Sequence, residues 1–382
     1  DSTMIALQNY RRARAYPHSD SPGPSMRYLA MLGSILLLML TGVVMALAAS
    51  NPASIGQDGG AFSEFGKHAT HVTLGIFALL FTVGRDYRSW RRIAPSLLAA
   101  ACLGLVLVLF FGHSTGGSRR WLDLGLFGLQ PSEITKLALV VSLASFLDQR
   151  RYFLDRIDRV TIPVAVGIAV LCGLIIKQPN LGAAAILGSI ALGMMWAAGV
   201  PFRHLGLLLV PGLASGLFLA LAEPYRRGRI IGFFSATEHS EGAAYQVTQG
   251  LASLSNGGFR GTGLSAGHAQ WGWVPEAPND FVFAVVGEQL GLVGALAVLV
   301  LLATIILTGF RTAQIAPDVF GSLLAAGISV WFLLQVFVNL VGVLRLLPIT
   351  GVTLPFVSSG GTSLIVNAAA AGLLLNIARQ SK

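Results

Sequence analysis

Ten apolar runs divide this chain, at roughly residues 27–49, 69–84, 93–112, 131–148, 159–176, 181–199, 204–222, 281–309, 318–344 and 357–378, and most charged residues fall between them. A bilayer's hydrocarbon core is about 30 Å thick, which about 20 helical residues cross. Backbone polar groups at that depth must be bonded internally, and a helix does this within one segment. The pattern therefore predicts an all-α, polytopic integral membrane protein with ten transmembrane helices. Composition agrees: 11% of residues are charged, under half of the roughly 25% usual in a soluble domain. Runs six and seven are short and separated only by Gly199 to His204, which fits either a single broken element or two spans. Two spans suit the charge pattern better.

The net charge of +9 does not point to nucleic acid. The basic residues occupy short connections, which record membrane orientation and attraction to anionic headgroups rather than a duplex-binding stripe. A cytoplasmic N-terminus puts Arg11, Arg12, Arg14, Arg27, Arg85, Arg88, Arg91, Arg92, Arg150, Arg151, Arg156, Arg159, Arg203, Arg311, Arg379 and Lys382 on the cytoplasmic side. The expected layout is a cytoplasmic tail at 1–26, a membrane domain at 27–378 and a cytoplasmic C-terminus at 379–382. The first residues lack an apolar signal core. Cys102 and Cys172 lie inside apolar runs, so no disulfide framework or metal knuckle follows from them. His68 and His71 stand three apart with no third ligand nearby, and are expected as surface histidines rather than metal ligands.

Two long connections fall on the opposite, extracytoplasmic side, at about 113–130 and 223–280, the second just before helix eight. Within the second, Tyr245, Thr248, Leu251, Ala252 and Leu254 share a helical face, and Asn256-Gly257-Gly258 supplies a stop. A short helix lying in the membrane interface fits this pattern.

Polar side chains cluster on that same side. Val274 to Gly291 carries Glu276, Asp280 and Glu288 at the entry to an apolar helix. Carboxylates at an apolar boundary suit proton transfer, because burial raises their pKa, though Pro-Asn-Asp is also an ordinary helix start. Arg119-Arg120-Trp121 precedes Gln130-Pro131-Ser132-Glu133, with Lys136 one turn on. Glu133 and Lys136 could equally be a snorkelling ion pair at a helix end. Lys177 to Gly182 alone is more often a connector. Arg226, Arg227 and Arg229, with Tyr245 and Gln246 beyond, suit a pyrophosphate, a solvated face or anionic lipid. Leu347 to Ser363, with Ser358 inside it, brings helix breakers into a membrane span, which suggests an irregular segment lining a cavity.

Taken together and in order, these motifs resemble the SEDS family of RodA, FtsW and SpoVE-type proteins over about residues 27–378. The resemblance rests on Arg120-Trp121 with Gln130 to Glu133 and Lys136, on Gln178-Pro179 with Leu181-Gly182, on Pro275-Glu276 with Asp280-Phe281 and Gly287-Glu288, and on Pro348 through Ser363. It implies a ten-span peptidoglycan glycosyltransferase of elongation or division that polymerises lipid II into β-1,4 glycan strands outside the membrane. It also implies a class B penicillin-binding protein as transpeptidase partner, with polyprenyl-linked glycan and membrane lipids as further partners. Asp280 matches the family's essential acidic residue, and Glu133 and Lys136 its functional pair in the fourth span. Candidates for substrate contact are then Arg120, Trp121, Gln130, Ser132, Arg226, Arg227, Arg229, Tyr245, Glu276, Glu288, Ser358 and Ser363. No dedicated metal site is legible; a divalent cation on the diphosphate is compatible with the chemistry. The chain departs from the family pattern at Asn180, Gln270, Pro278-Asn279, Gln289 and Ser359, where Asp, Lys, His-Thr, Glu and Tyr are common. Two other classes stay open: a transporter of lipid-linked precursor, against which the one-sided ionisable residues argue, and a non-enzymatic scaffold for a transpeptidase.

Overall fold

The computed structural model describes residues 25–48, 63–115, 118–123, 128–223, 227–228, 243–264, 266–267, 279–348 and 350–381. A helix occupies each of the ten apolar runs. In chain order these are α1 (Met26–Ala48), α2 (Ser63–Gly84), α3 (Trp90–Phe111), α4 (Pro131–Gln149), α5 (Ile162–Ile176), α6 (Leu181–Ala198) and α7 (Phe202–Ala222). After a shorter helix, α8 (Ala243–Gly257), come α9 (Val282–Ile315), α10 (Val319–Val343) and α11 (Gly361–Gln380). Eight are long and apolar enough to cross a membrane, α3 and α5 when counted with the short helical turns at Tyr87–Ser89 and Ile157–Thr161 that lead into them. The other two, α2 and α4, carry Lys67, His68 and His71, and Glu133, Lys136 and Asp148, which lower their hydropathy. Runs six and seven are separate helices: Gly199, at φ 90°, closes α6, and Pro201 opens α7.

The connection after α3 is not featureless. It holds an antiparallel sheet in the order β1 (His113–Thr115), β2 (Ser118–Asp123), β3 (Gly128–Leu129), an addition to the all-α expectation.

The most buried helix is α11, against which α2 lies closely because small residues meet there. A Cβ on Gly75 would stand 2.6 Å from a Leu364 methyl, and one on Gly361 would stand 2.7 Å from the His71 ring. This contact corrects the expectation of surface histidines: His68 is 1% exposed and neither of its ring nitrogens has a hydrogen-bond partner. At the other extreme, α7 fully buries only His204, and Phe202, Leu207, Leu209, Leu213, Leu217, Phe218 and Leu221 are exposed. Lipid tails are as apolar as Leu, so such a surface suits a bilayer.

α9 would be about 50 Å long if straight, but Gly291 has φ 67°, ψ −167° and breaks it. In hydrocarbon, each backbone group freed by a break costs several kcal/mol unless it is re-bonded. The segment after α8 supplies the partners. Leu292 N donates to Gly258 O at 3.0 Å, Thr262 N to Glu288 O at 2.9 Å, and Gly263 N to Gln289 O at 3.1 Å. α8 itself is the expected short helix, but its packed face carries Val247, Gly250, Ser253 and Gly257, while Tyr245, Thr248 and Ala252 are exposed. Glycine explains the difference. Gly250 lies against the Phe281 ring and Gly257 against the Gly287 carbonyl, so α8 approaches α9 closely, with Val247, Leu251 and Leu254 packed beside them.

At the far end of the bundle, Asp318 caps α10 by accepting from Gly321 N at 2.7 Å, and it also accepts from Arg88 Nε at 2.9 Å and from the Tyr87 hydroxyl. Asn376 of α11 donates to Val83 O at 2.7 Å and accepts from Tyr87 N at 3.0 Å. This lock joins the α2–α3 turn to α10 and α11, and leaves the opposite helix ends to form the site.

Candidate active site

The first turn of α4 begins at Pro131, whose missing N–H is no loss at that position. It turns Ser132, Glu133 and Lys136 into the protein, where Lys136 is only 2% exposed. The Lys136 Nζ lies 2.8 Å from Glu133 Oε2, 3.4 Å from Gln335 Oε1 and 5.4 Å from the Trp331 ring centre. An ammonium removed from water needs such company: an anion, a second acceptor and an aromatic face each offset part of the lost hydration.

Gln335 continues the network. Its Oε1 also accepts from Trp331 Nε1 at 2.6 Å, while its Nε2 donates to Thr353 O at 2.9 Å. The hydroxyls of Thr353 and Ser363 are 2.8 Å apart, and Asn367 donates to Ser363 Oγ at 3.3 Å. One turn along α10, Asn339 Nδ2 donates to Asp280 O at 2.9 Å and to Val352 O at 2.7 Å. Asp280 is half-buried at the entry to α9 and lines a cleft with Phe281, Asn339, Gly342, Thr350, Gly351 and Val352. Gly351 adopts φ 73°, which favours glycine, and lies beside the carboxylate: a Cβ there would be in ordinary contact with Asp280 Oδ2, at 3.4 Å. Asn339 Oδ1 is buried beside this cleft without a hydrogen-bond partner.

The remaining candidates are distributed as follows. Arg120 is half-buried and donates from Nε to Gln178 O at 3.2 Å and from its terminal nitrogen to Pro179 O, which joins the sheet to the α5–α6 turn. The Trp121 ring lies over Gly128. Gln130 caps α4 through its backbone, whose N–H donates to Thr362 Oγ1 at 3.1 Å, and Ser132 Oγ is buried without a partner. Ser358 closes its own turn by accepting from Leu354 N at 2.8 Å, and Ser363 belongs to the Gln335 network. Glu288 is fully buried next to Gly267, away from the residues lining the Asp280 cleft. Tyr245 and Arg227 are exposed. Arg226, Arg229, Glu276 and Gln270 lie outside the described residues. Among the described residues, no group of three or more His, Cys, Asp or Glu could hold a metal ion.

Trp331, Gln335, Asn339 and Thr353 were not among the candidates. Two neutral amides four apart in an apolar helix are the signal that could have found them, since polar side chains at membrane depth face the bundle interior.

The family model described as "Cell cycle protein", covering FtsW, RodA and SpoVE, matches residues 28–382. The chain belongs to the FtsW/RodA/SpoVE family. It is 36% identical to the "Probable peptidoglycan glycosyltransferase FtsW" of Mycobacterium tuberculosis over 93% of this chain and 68% of that protein. It is 35% identical to the FtsW of Geobacter metallireducens, covering 93% of this chain and 95% of that one, and to Stage V sporulation protein E of Bacillus subtilis, covering 91% and 95%. Among solved structures, it is similar to a chain from a peptidoglycan synthase complex that coordinates polymerization and crosslinking, with TM-score 0.75, 27% identity and coverage of 92% and 97%. The crystal structure of the rod shape determining protein RodA of Thermus thermophilus aligns with TM-score 0.67 and 27% identity over 92% of this chain and 96% of that one. With its apolar helices, the FtsW/RodA/SpoVE membership places this protein in the bacterial inner membrane.

One departure from the family pattern has a local explanation. Asn180 caps α6, its side-chain oxygen accepting from Ala183 N at 3.1 Å. Asn and Asp fill that position about equally well.

Proposed function

We propose that this protein is a peptidoglycan glycosyltransferase that polymerises lipid II into β-1,4 glycan strands at the outer face of the cytoplasmic membrane. Its relatives carry the name peptidoglycan glycosyltransferase. The observation that carries the proposal is the joint fixing, by one helix, of a half-buried carboxylate at a cleft and a buried ammonium: Asn339 holds the Asp280 backbone and Gln335 holds Lys136.

In this scheme α2 and α4 also cross the membrane, giving ten spans with both termini cytoplasmic. Asp280 and the 223–280 connection then face outward. Asp280 takes the proton of the acceptor sugar's 4-hydroxyl as that oxygen attacks the anomeric carbon of the α-linked donor. The bond from that carbon to the phosphate oxygen breaks, its electron pair leaves with the polyprenyl diphosphate, and the new linkage is β. Lys136 offsets the charge developing on the leaving group, and Glu133 sets where Lys136 stands. Arg120 and the arginines at 226, 227 and 229 are the diphosphate candidates, and grooves between helices take the polyprenyl chains. A class B penicillin-binding protein crosslinks the product. Similarity to a chain of a synthase complex supports such a partner.

Polymerisation of purified lipid II by the purified protein, with and without a class B penicillin-binding protein, tests the proposal. Long strands are expected. No strands under either condition would replace an enzyme with a scaffold.

A further inference from the structure

Trp331, Gln335 and Asn339 follow one another at a spacing of four on α10, so their side chains share one face. All three are at least 96% buried. Indole N–H is a donor only, so Trp331 Nε1 fixes which end of the Gln335 amide it meets: the oxygen, at 2.6 Å. That same oxygen accepts from Lys136 Nζ at 3.4 Å, and the amide nitrogen is thereby turned to Thr353 O at 2.9 Å. Reversed, the NH2 group would confront both the indole N–H and the ammonium. The amide therefore has one acceptable orientation, and in it the oxygen serves Lys136.

A lysine stem has four rotatable carbon–carbon bonds, and Glu133 lies on the same helix as Lys136, so it can move with it. Gln335 supplies an anchor from a different helix. One turn further along α10, Asn339 references Asp280 O and Val352 O to the same rigid element. We propose that Gln335 is a positioning residue for the reaction: it sets the Lys136 ammonium in a fixed relation to the 350–354 segment and, through the shared helix, to Asp280. This role rests on the polymerase activity proposed above. An ammonium held in place before the leaving group develops charge needs no reorganisation during the step, and a misplacement of about 1 Å can cost roughly 100-fold in rate.

The test is steady-state polymerisation of lipid II by purified wild type, Gln335→Met, Gln335→Glu and Trp331→Phe, with unfolding midpoints measured on the same samples. Gln335→Met fills the space but removes both ends of the amide. Gln335→Glu keeps an acceptor for Trp331 and Lys136. Expected are a kcat roughly 10- to 100-fold lower for Gln335→Met with KM within about threefold, and a kcat within about fivefold of wild type for Gln335→Glu. Trp331→Phe, which removes the N–H that orients the amide, gives the same pattern at smaller amplitude and decides the matter if Gln335→Met does not fold. Wild-type kcat in Gln335→Met or in Trp331→Phe overturns the role. So does a Gln335→Glu that falls as far as Gln335→Met in parallel with its unfolding midpoint, which would mark a purely structural tether. If wild type itself makes no polymer, the functional proposal fails and Gln335's role fails with it. An active wild type beside an unaffected Gln335→Met removes the role of Gln335 alone.

Discussion

Gln335 and Asn339 stand one turn apart on α10; the first accepts from the Lys136 ammonium and the second donates to the Asp280 carbonyl. Lys136 belongs to α4, and Asp280 to the entry of α9. Two groups distant in sequence are thus referenced to a single helix. Lys136 meets Glu133 and Gln335, and Gln335 in turn donates to Thr353 of the 350–354 segment.

The Glu133–Lys136 pair makes a prediction about stability as well as rate. Its members are 7% and 2% exposed, so removing one leaves a charge buried without its counter-ion. Glu133→Ala should destabilise the protein by about 3–5 kcal/mol, whereas replacing both with apolar residues of similar volume, Glu133→Leu with Lys136→Met, should recover most of that loss. Unfolding in detergent measures the first effect. Polymerisation should stay abolished in the double variant, separating the pair's chemical role from its structural one.

Gly291 should tolerate no side chain. Its φ of 67° disfavours any Cβ, and a Cβ built there would overlap the Gly261 backbone. Gly257 has no such dihedral constraint, yet a Cβ on it would overlap the Gly287 carbonyl. Gly257→Ala should therefore cost about 1–3 kcal/mol by displacing α8 from α9, and Gly291→Ala more, because strain is added to overlap. Unfolding midpoints that rank wild type above Gly257→Ala above Gly291→Ala would agree. Equal midpoints would contradict the close packing.

Asn180→Asp restores the residue common in the family. Because the side-chain oxygen caps α6, this variant should match wild type in stability to within about 0.5 kcal/mol, while Asn180→Ala should lose about 1 kcal/mol. Polymerisation by Asn180→Asp should also match wild type. A large rise would show that the position contacts substrate rather than only the helix.

Much of the architecture was legible because the bilayer imposes a length scale. Run 131–148 became Pro131–Gln149, and run 318–344 became Val319–Val343. Glu133 and Lys136 fall on the expected helix start, α4, whereas Ser363, expected in an irregular segment, lies in the first turn of α11. What escaped notice had weak or silent signals. The break at Gly291 carries no proline; Glu288 and Gln289 just before it and the density of glycines from 257 to 294 are the signals that hint at it. The face expected for α8 is packed at Leu251 and Leu254 but exposed at Tyr245, Thr248 and Ala252, because apolar periodicity cannot register the contacts made by Gly250 and Gly257. Nothing adjacent in sequence signals the burial of His68, and the neighbouring His71 meets Gly361 of α11, remote in sequence. Gln335 and Asn339 did not stand out because two amides among 25 residues leave α10 apolar enough to read as a span.

The central claim is that Asp280 is the base of a glycan polymerase. Its most direct test is polymerisation of purified lipid II in detergent by wild type and by Asp280→Ala, at matched protein levels and matched unfolding midpoints. Long strands from wild type and none from Asp280→Ala are predicted. Strands of equal length and rate from both would contradict the account.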